Sequence, residues 1–141
     1  MRHLLAATLA TCALLAAPAL PAATLQKVST ASDAKAYRID GARHIYALYA
    51  NQIYKGKLPP LVHAIVIVET ELDAGGNVRD VKMIRVPTHA PDVTERVRML
   101  IQQASPLPAP SRMSGGTKYL DIWLVDKSGR FQLDTLTEGQ L

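Results

Sequence analysis

Residues 61–86 constrain the fold more than any other stretch of this chain. From Leu61 to Leu72 the sequence is rich in β-branched residues, and it ends in an alternation in which Val66, Val68, Thr70 and Leu72 face one way and Ile65, Ile67, Glu69 and Glu71 the other. Such a period of two belongs to a strand with one face buried. Asp73-Ala74-Gly75-Gly76-Asn77 then offers the left-handed conformations a reversal needs, and Val78 to Val86 returns as the second arm of a hairpin. In that arm Val78, Val81, Met83, Ile84 and Val86 break strict alternation, which predicts either a bulge or two partly covered faces.

A two-stranded hairpin needs a partner for its apolar face, and two helical patterns flank it. One is predicted from Asp40 to Lys55: Ile45, Leu48, Tyr49 and Ile53 share a face, Asp40 stands as N-cap, Gly56 follows the last turn, and Pro59-Pro60 stops continuation. Pro91-Asp92 opens the other, with Glu95 in capping-box position and Val93, Val97, Leu100, Ile101 and Ala104 on the apolar face. Each such buried aliphatic side chain contributes roughly 1.5 to 3 kcal/mol, so this helix lies on the sheet. Ser105-Pro106-Leu107-Pro108-Ala109-Pro110 holds the chain extended. A third strand follows at Tyr119 to Val125, with Leu120, Ile122 and Leu124 against Tyr119, Asp121, Trp123 and Val125, and Phe131 to Asp134 is a candidate fourth. The expected fold is therefore α+β, a small antiparallel sheet of three to four strands packed against two helices in the order α-β-β-α-β.

The amino end reads as an export signal. Arg2 precedes an uncharged run from Leu4 to Leu15, too short to span a bilayer, and Ala17-Pro18-Ala19 satisfies the small-x-small cleavage pattern. Residues 1–22 are expected to be a secretory signal peptide, 23–39 a flexible lead-in, 40–134 the α+β domain and 135–141 a tail. Cys12, the single cysteine, falls within the signal and matches a lipid-attachment motif poorly, so the mature protein is expected to be periplasmic, without disulfides and without stable membrane insertion. The whole chain carries a formal net charge of +4, but its basic residues are dispersed among acidic ones. That is a solvated surface and excludes a nucleic-acid stripe.

In order and spacing these features resemble the C-terminal domain family of TonB and TolA. The family's pattern is a helix ending near Pro-Pro, apolar alternation running into Leu-Asp-x-x-Gly-x-Val, a helix ending in alanine with a proline-rich exit, and a last apolar strand. Here it reads Ile53 to Pro60, Val66 to Val78 with Leu72-Asp73-Ala74-Gly75-Gly76-Asn77-Val78, Val93 to Pro110, and Tyr119 to Val125. The resemblance covers about Ile45 to Asp126. Members that transmit force carry an anchor and a long proline-rich spacer, so the short lead-in here implies an anchor-less relative. Pro87-Thr88-His89-Ala90 also stands where the family has a small turn. The resemblance implies a non-enzymatic envelope protein, accessory to transport, that binds a protein or peptide segment by β-strand addition at the margin of its last strand. The implied partner-binding residues are Lys118, Tyr119, Leu120, Asp121, Ile122, Trp123, Leu124 and Val125, with Tyr119 and Trp123 as aromatic anchors.

Catalytic and metal chemistry finds little support. His44, His63 and His89 stand at no spacing that brings two metal ligands together, the serines lack an elbow motif, and neither glycine pair has a phosphate-loop lysine. No cofactor and no metal are expected. The alternative is a small ligand-binding protein or hydrolase using His63, Glu69 and Glu71 on the outer sheet face. A homodimer through Ile65 and Ile67 is a further reading if that face is bare.

Overall fold

The computed structural model describes residues 25–141. The expected signal peptide, Cys12 and the first two residues of the lead-in lie outside the described residues.

Among the described residues six strands and two helices follow one another as β1 (Val28–Ser29), α1 (Ala34–Leu48), β2 (Ala64–Leu72), β3 (Val78–Arg85), α2 (Pro91–Gln103), β4 (Ala109–Pro110), β5 (Thr117–Val125) and β6 (Phe131–Leu133). Four of the strands form an antiparallel sheet in the order β3-β2-β5-β6, and β1 and β4 pair as a small parallel sheet of two. The fold is α+β, with the antiparallel sheet of four strands and two helices read from the sequence.

The hairpin forms as its alternation requires. Val66, Val68, Thr70 and Leu72 are buried, while Ile65, Ile67, Glu69 and Glu71 are half-buried on the opposite face. The broken period of β3 is resolved by two bulges: Ile67 pairs with Arg85 but Val68 with Met83, and Glu71 pairs with Asp80 but Leu72 with Val78. Ile84 and Arg79 are thus the extra residues. In the turn, Asp73 Oδ1 accepts the N–H groups of Gly75 and Asn77, each at 2.9 Å. Gly76 takes φ 84° with its Cα against the Leu107 carbonyl, where a side chain would collide with backbone. That close approach ties the turn to the proline-rich exit, with Leu107 N–H donating to the Gly76 carbonyl at 2.8 Å.

Helix α1 begins at Ala34, not near Asp40, because Asp33 supplies the cap: its Oδ1 accepts Ala36 N–H at 2.8 Å. Asp40 lies inside the helix and accepts the Ser29 hydroxyl at 2.6 Å. The helix ends at Leu48, and Tyr49 leads into a 3-10 turn over Ala50–Gln52. Gly56, expected just beyond the helix, has positive φ in the loop that follows instead, and Leu48, expected on the buried face, is half exposed. The lead-in expected to be flexible is ordered from Val28 onward, since Val28 and Ser29 pair with Ala109 and Pro110.

Helix α2 runs as read, and Val93, Val97, Leu100 and Ile101 are buried. Its cap differs: Ala90 is the N-cap and Pro91 the first helical residue, so Asp92 caps nothing with its side chain, and Glu95 pairs with Arg98 at 3.6 Å. Both helices cover one face. Tyr49 Oη donates to the Leu100 carbonyl at 2.6 Å, and His44 Nε2 lies 2.9 Å from the Ala104 carbonyl, which locks α1 to α2 above the sheet. The expected tail is part of the domain, with Gly56 N–H donating to Glu138 at 2.7 Å and Leu141 N–H to the Leu58 carbonyl at 2.9 Å.

Candidate functional site

Strand β5 is the expected partner-binding strand, and the structure divides it in two. On one side it pairs with β2 over its whole length, from Thr117 opposite Leu72 to Val125 opposite Ala64. On the other, β6 pairs with Trp123, Leu124 and Val125. Those three residues have no backbone group to offer a guest, which corrects that half of the expected site. Both aromatic anchors are corrected as well. Trp123 is 1% exposed and stacks on Phe131 with ring centroids 4.5 Å apart, and Tyr119 is 6% exposed against Tyr37 at 5.2 Å. The physical reason is the phase of the alternation: Tyr119, Asp121, Trp123 and Val125 point under the helices, and Leu120, Ile122 and Leu124 point away from them.

Lys118 to Ile122 remain. Asp126 N–H donates to the Arg130 carbonyl at 2.8 Å across the β5–β6 turn, and Phe131 turns its own carbonyl outward to Tyr54 N–H at 2.9 Å. With a period of two, the backbone groups of even-numbered β5 residues therefore point to the β6 side and those of odd-numbered residues to β2. Beyond Leu133 the chain leaves the sheet in a 3-10 turn, Asp134–Leu136. Among the described residues no strand lies beside Lys118, Leu120 and Ile122 on that side. A groove of about 300 Å³ opens there, lined by Ala34, Lys35, Arg38, Glu69, Lys118, Tyr119 and Leu120.

The other margins of the sheet are treated differently. On β3 the two bulges distort the ladder, Arg98 Nη1 donates to the Val81 carbonyl at 2.8 Å, and Val78 N–H donates to Ser105 Oγ at 3.0 Å. On β6, Leu133 N–H donates to Tyr46 Oη at 3.0 Å, and the buried Gln132 side chain reaches the Tyr54 and Gly56 carbonyls at 2.8 and 2.7 Å. Capping by side chains and bulges is how native sheets prevent unwanted pairing. Along Lys118 and Leu120 no bulge and no side-chain hydrogen bond to the backbone is present among the described residues, and the charge of Lys118 is what guards this length.

At the inner end of this margin lies a buried carboxylate. Asp121 is 4% exposed, and its Oδ1 accepts Ile122 N–H at 2.8 Å, Arg38 Nη2 at 3.3 Å and Thr135 Oγ1 at 3.4 Å. Arg38 also reaches Asp134 at 3.3 Å. Burial pushes the Asp121 carboxyl up to about 6, with the Ile122 N–H and the Arg38 charge opposing that rise. Arg38, Asp134 and Thr135 escaped the reading of the sequence. The one signal that could have found them is the Ser32-Asp33 cap, which starts α1 early enough to bring Arg38 over β5.

The alternative site does not assemble. His63 and Glu69 are six residues apart on an extended segment, about 20 Å by strand rise. His63 instead meets His89, whose Nε2 lies 2.6 Å from the His63 carbonyl, in a shallow recess with Arg85. Glu71 pairs with Lys118 at 3.3 Å. Ile65 and Ile67 do lie on the face opposite the helices, beside Leu124 and Ile122. Tyr46, Tyr49 and His44 all serve as packing and hydrogen-bonding groups of α1. Among the described residues no group of three or more His, Cys, Asp or Glu is placed to hold a metal ion, and no helix is long and apolar enough to cross a membrane. No family model, curated protein or solved structure matches the chain.

Proposed function

We propose that this protein is a non-enzymatic binding module of the periplasm, accessory to envelope transport, that takes an extended segment of a partner as an added strand beside Lys118 to Ile122. The observation carrying the reading is the unpaired inner length of β5, open to a groove while the remaining margins of the sheet are capped or bulged. Strand addition draws affinity from backbone hydrogen bonds and selectivity from alternate side chains. Here Lys118 and Leu120 supply the free backbone groups, Leu120, 47% exposed, supplies apolar surface on the open face, and the groove beside α1 receives side chains on the other. The resemblance to the TonB and TolA domains supports the same mode of binding, narrowed from the whole strand, Lys118 to Val125, to Lys118 to Ile122.

The test is panning a random twelve-residue peptide library against the protein, followed by hydrogen exchange on the selected complex. Leu120 and Lys118 amides should exchange rapidly in the free protein and slowly in the complex, while Tyr119 and Asp121, bonded to β2, stay protected in both. Leu120→Pro removes an N–H that has no partner among the described residues, so it should abolish peptide binding and leave the circular dichroism spectrum intact. Failure to select any binder, or binders indifferent to Leu120→Pro, would overturn the reading.

A further inference from the structure

The margin that accepts a strand in this reading has a carboxylate on its innermost donor. Ile122 N–H points to the same side as Lys118 and Leu120, yet it is given to Asp121 Oδ1 at 2.8 Å. The same oxygen holds Arg38 of α1 and Thr135 of the 3-10 turn, and Arg38 in turn holds Asp134. One buried acid thus ties together a helix, the donor next to the free edge, and the turn at which the chain leaves β6. We propose that Asp121 is a pH-sensitive clasp on this edge: ionised, it withholds Ile122 N–H and pins the turn at Asp134; protonated, it releases both and lengthens the strand a guest can pair with.

The physical basis is the difference between charged and neutral acceptors. A hydrogen bond to a carboxylate is roughly twice as strong as one to a neutral group, so one added proton weakens the hold on Ile122 N–H and removes the charge that attracts Arg38. The charged and titratable groups facing Asp121 are few. Arg38 comes from α1 and Asp134 from the turn. Tyr46 from α1 and Tyr119 from β5 are phenols that burial and the Asp121 charge both raise above their ordinary range, so they stay neutral throughout. The Ile122 N–H, the Arg38 charge and the Thr135 hydroxyl oppose protonation, and Arg38 is shared with Asp134, itself 48% exposed. Burial outweighs them, and the proton exchanges near pH 6. The guest's pairing row then grows from Lys118 and Leu120 to include Ile122.

This proposal rests on the strand-addition reading but can fail apart from it. In the free protein, the Ile122 amide and Arg38 Nε–H resonances should titrate together with a midpoint near 6, and neither should titrate in Asp121→Asn. A peptide selected by panning should bind about fivefold more tightly at pH 5 than at pH 7.5, the worth of one further backbone hydrogen bond. Asp121→Asn should show the tighter binding at both pH values. If the peptide protects Leu120 equally at both pH values and Ile122 does not titrate, the clasp is wrong and strand addition stands. If Ile122 titrates but no peptide binds at either pH, the clasp is a local feature of the fold and its role at the edge falls with the binding reading.

Discussion

Thr94 and Asp121 are polar groups in apolar surroundings, and they make opposite predictions. The Thr94 hydroxyl is buried beneath α2 and meets no hydrogen-bond partner among the described residues. An unpaired buried hydroxyl is costly while an apolar group of the same shape is not. Thr94→Val is therefore expected to raise stability by about 1 kcal/mol, read from urea unfolding; a loss would show that the hydroxyl is satisfied. Asp121 holds its proton more tightly folded than unfolded, since burial lifts its carboxyl from 3.8 to about 6. Its contribution to stability is thus complete below about pH 3.8 and lost as pH rises through 6. Asp73 and Asp126 run the other way. Turn N–H groups, from Asn77 at Asp73 and from Ser128 at Asp126, hold their carboxyls below the usual range, so what they contribute is lost as pH falls. Asp121→Asn should accordingly melt higher than the parent at pH 7.5, by on the order of 2–3 kcal/mol, and like it at pH 4. A lower melting point at pH 7.5 would mean the Arg38 pair outweighs the burial.

Among the elements, β3 and β5 differ in how their margins are finished. Arg98 occupies the outward carbonyl of Val81 from α2, so Arg98→Ala should bare that backbone and promote edge-to-edge association; light scattering over a concentration series should show dimers or larger species, and a monomer at all concentrations would mean the bulges suffice. The hairpin and α2 were legible because long side chains repeat at fixed periods: Val66 to Leu72 in twos, Val93 to Ala104 in threes and fours. Helix α1 was displaced because its buried face includes Gly41 and Ala42 beside Tyr37 and Ile45, residues too small to register as a stripe, and because the small polar run before Ala34 hides the Asp33 cap. That β5 forms a strand was readable, but which half of it β6 covers was not. Which flank of β5 is covered depends on where Phe131 to Leu133 docks and where Asp134 turns away, and no local pattern encodes that distance.

At the scale of the whole molecule, the carboxyl end closes the structure. Residues 138–141 bond back to the loop between α1 and β2, through Glu138 to Gly56 and Leu141 to Leu58, and Gln140 reaches the Pro59 and Pro60 carbonyls at 3.2 and 3.0 Å. Ending the chain at Thr137 should lower the thermal midpoint and speed exchange at Gly56 and Leu58; unchanged exchange there would show that the loop holds its own shape.

The three-residue length of β6 has one more effect. Because the turn at Asp134 closes the row that Phe131 begins, the proposed berth for a guest strand has a blind end beside Ile122. Such a berth measures only about 17 Å, five residues at strand rise. Under the proposed strand addition, that length would suit a tail that stops there better than the middle of a long ribbon.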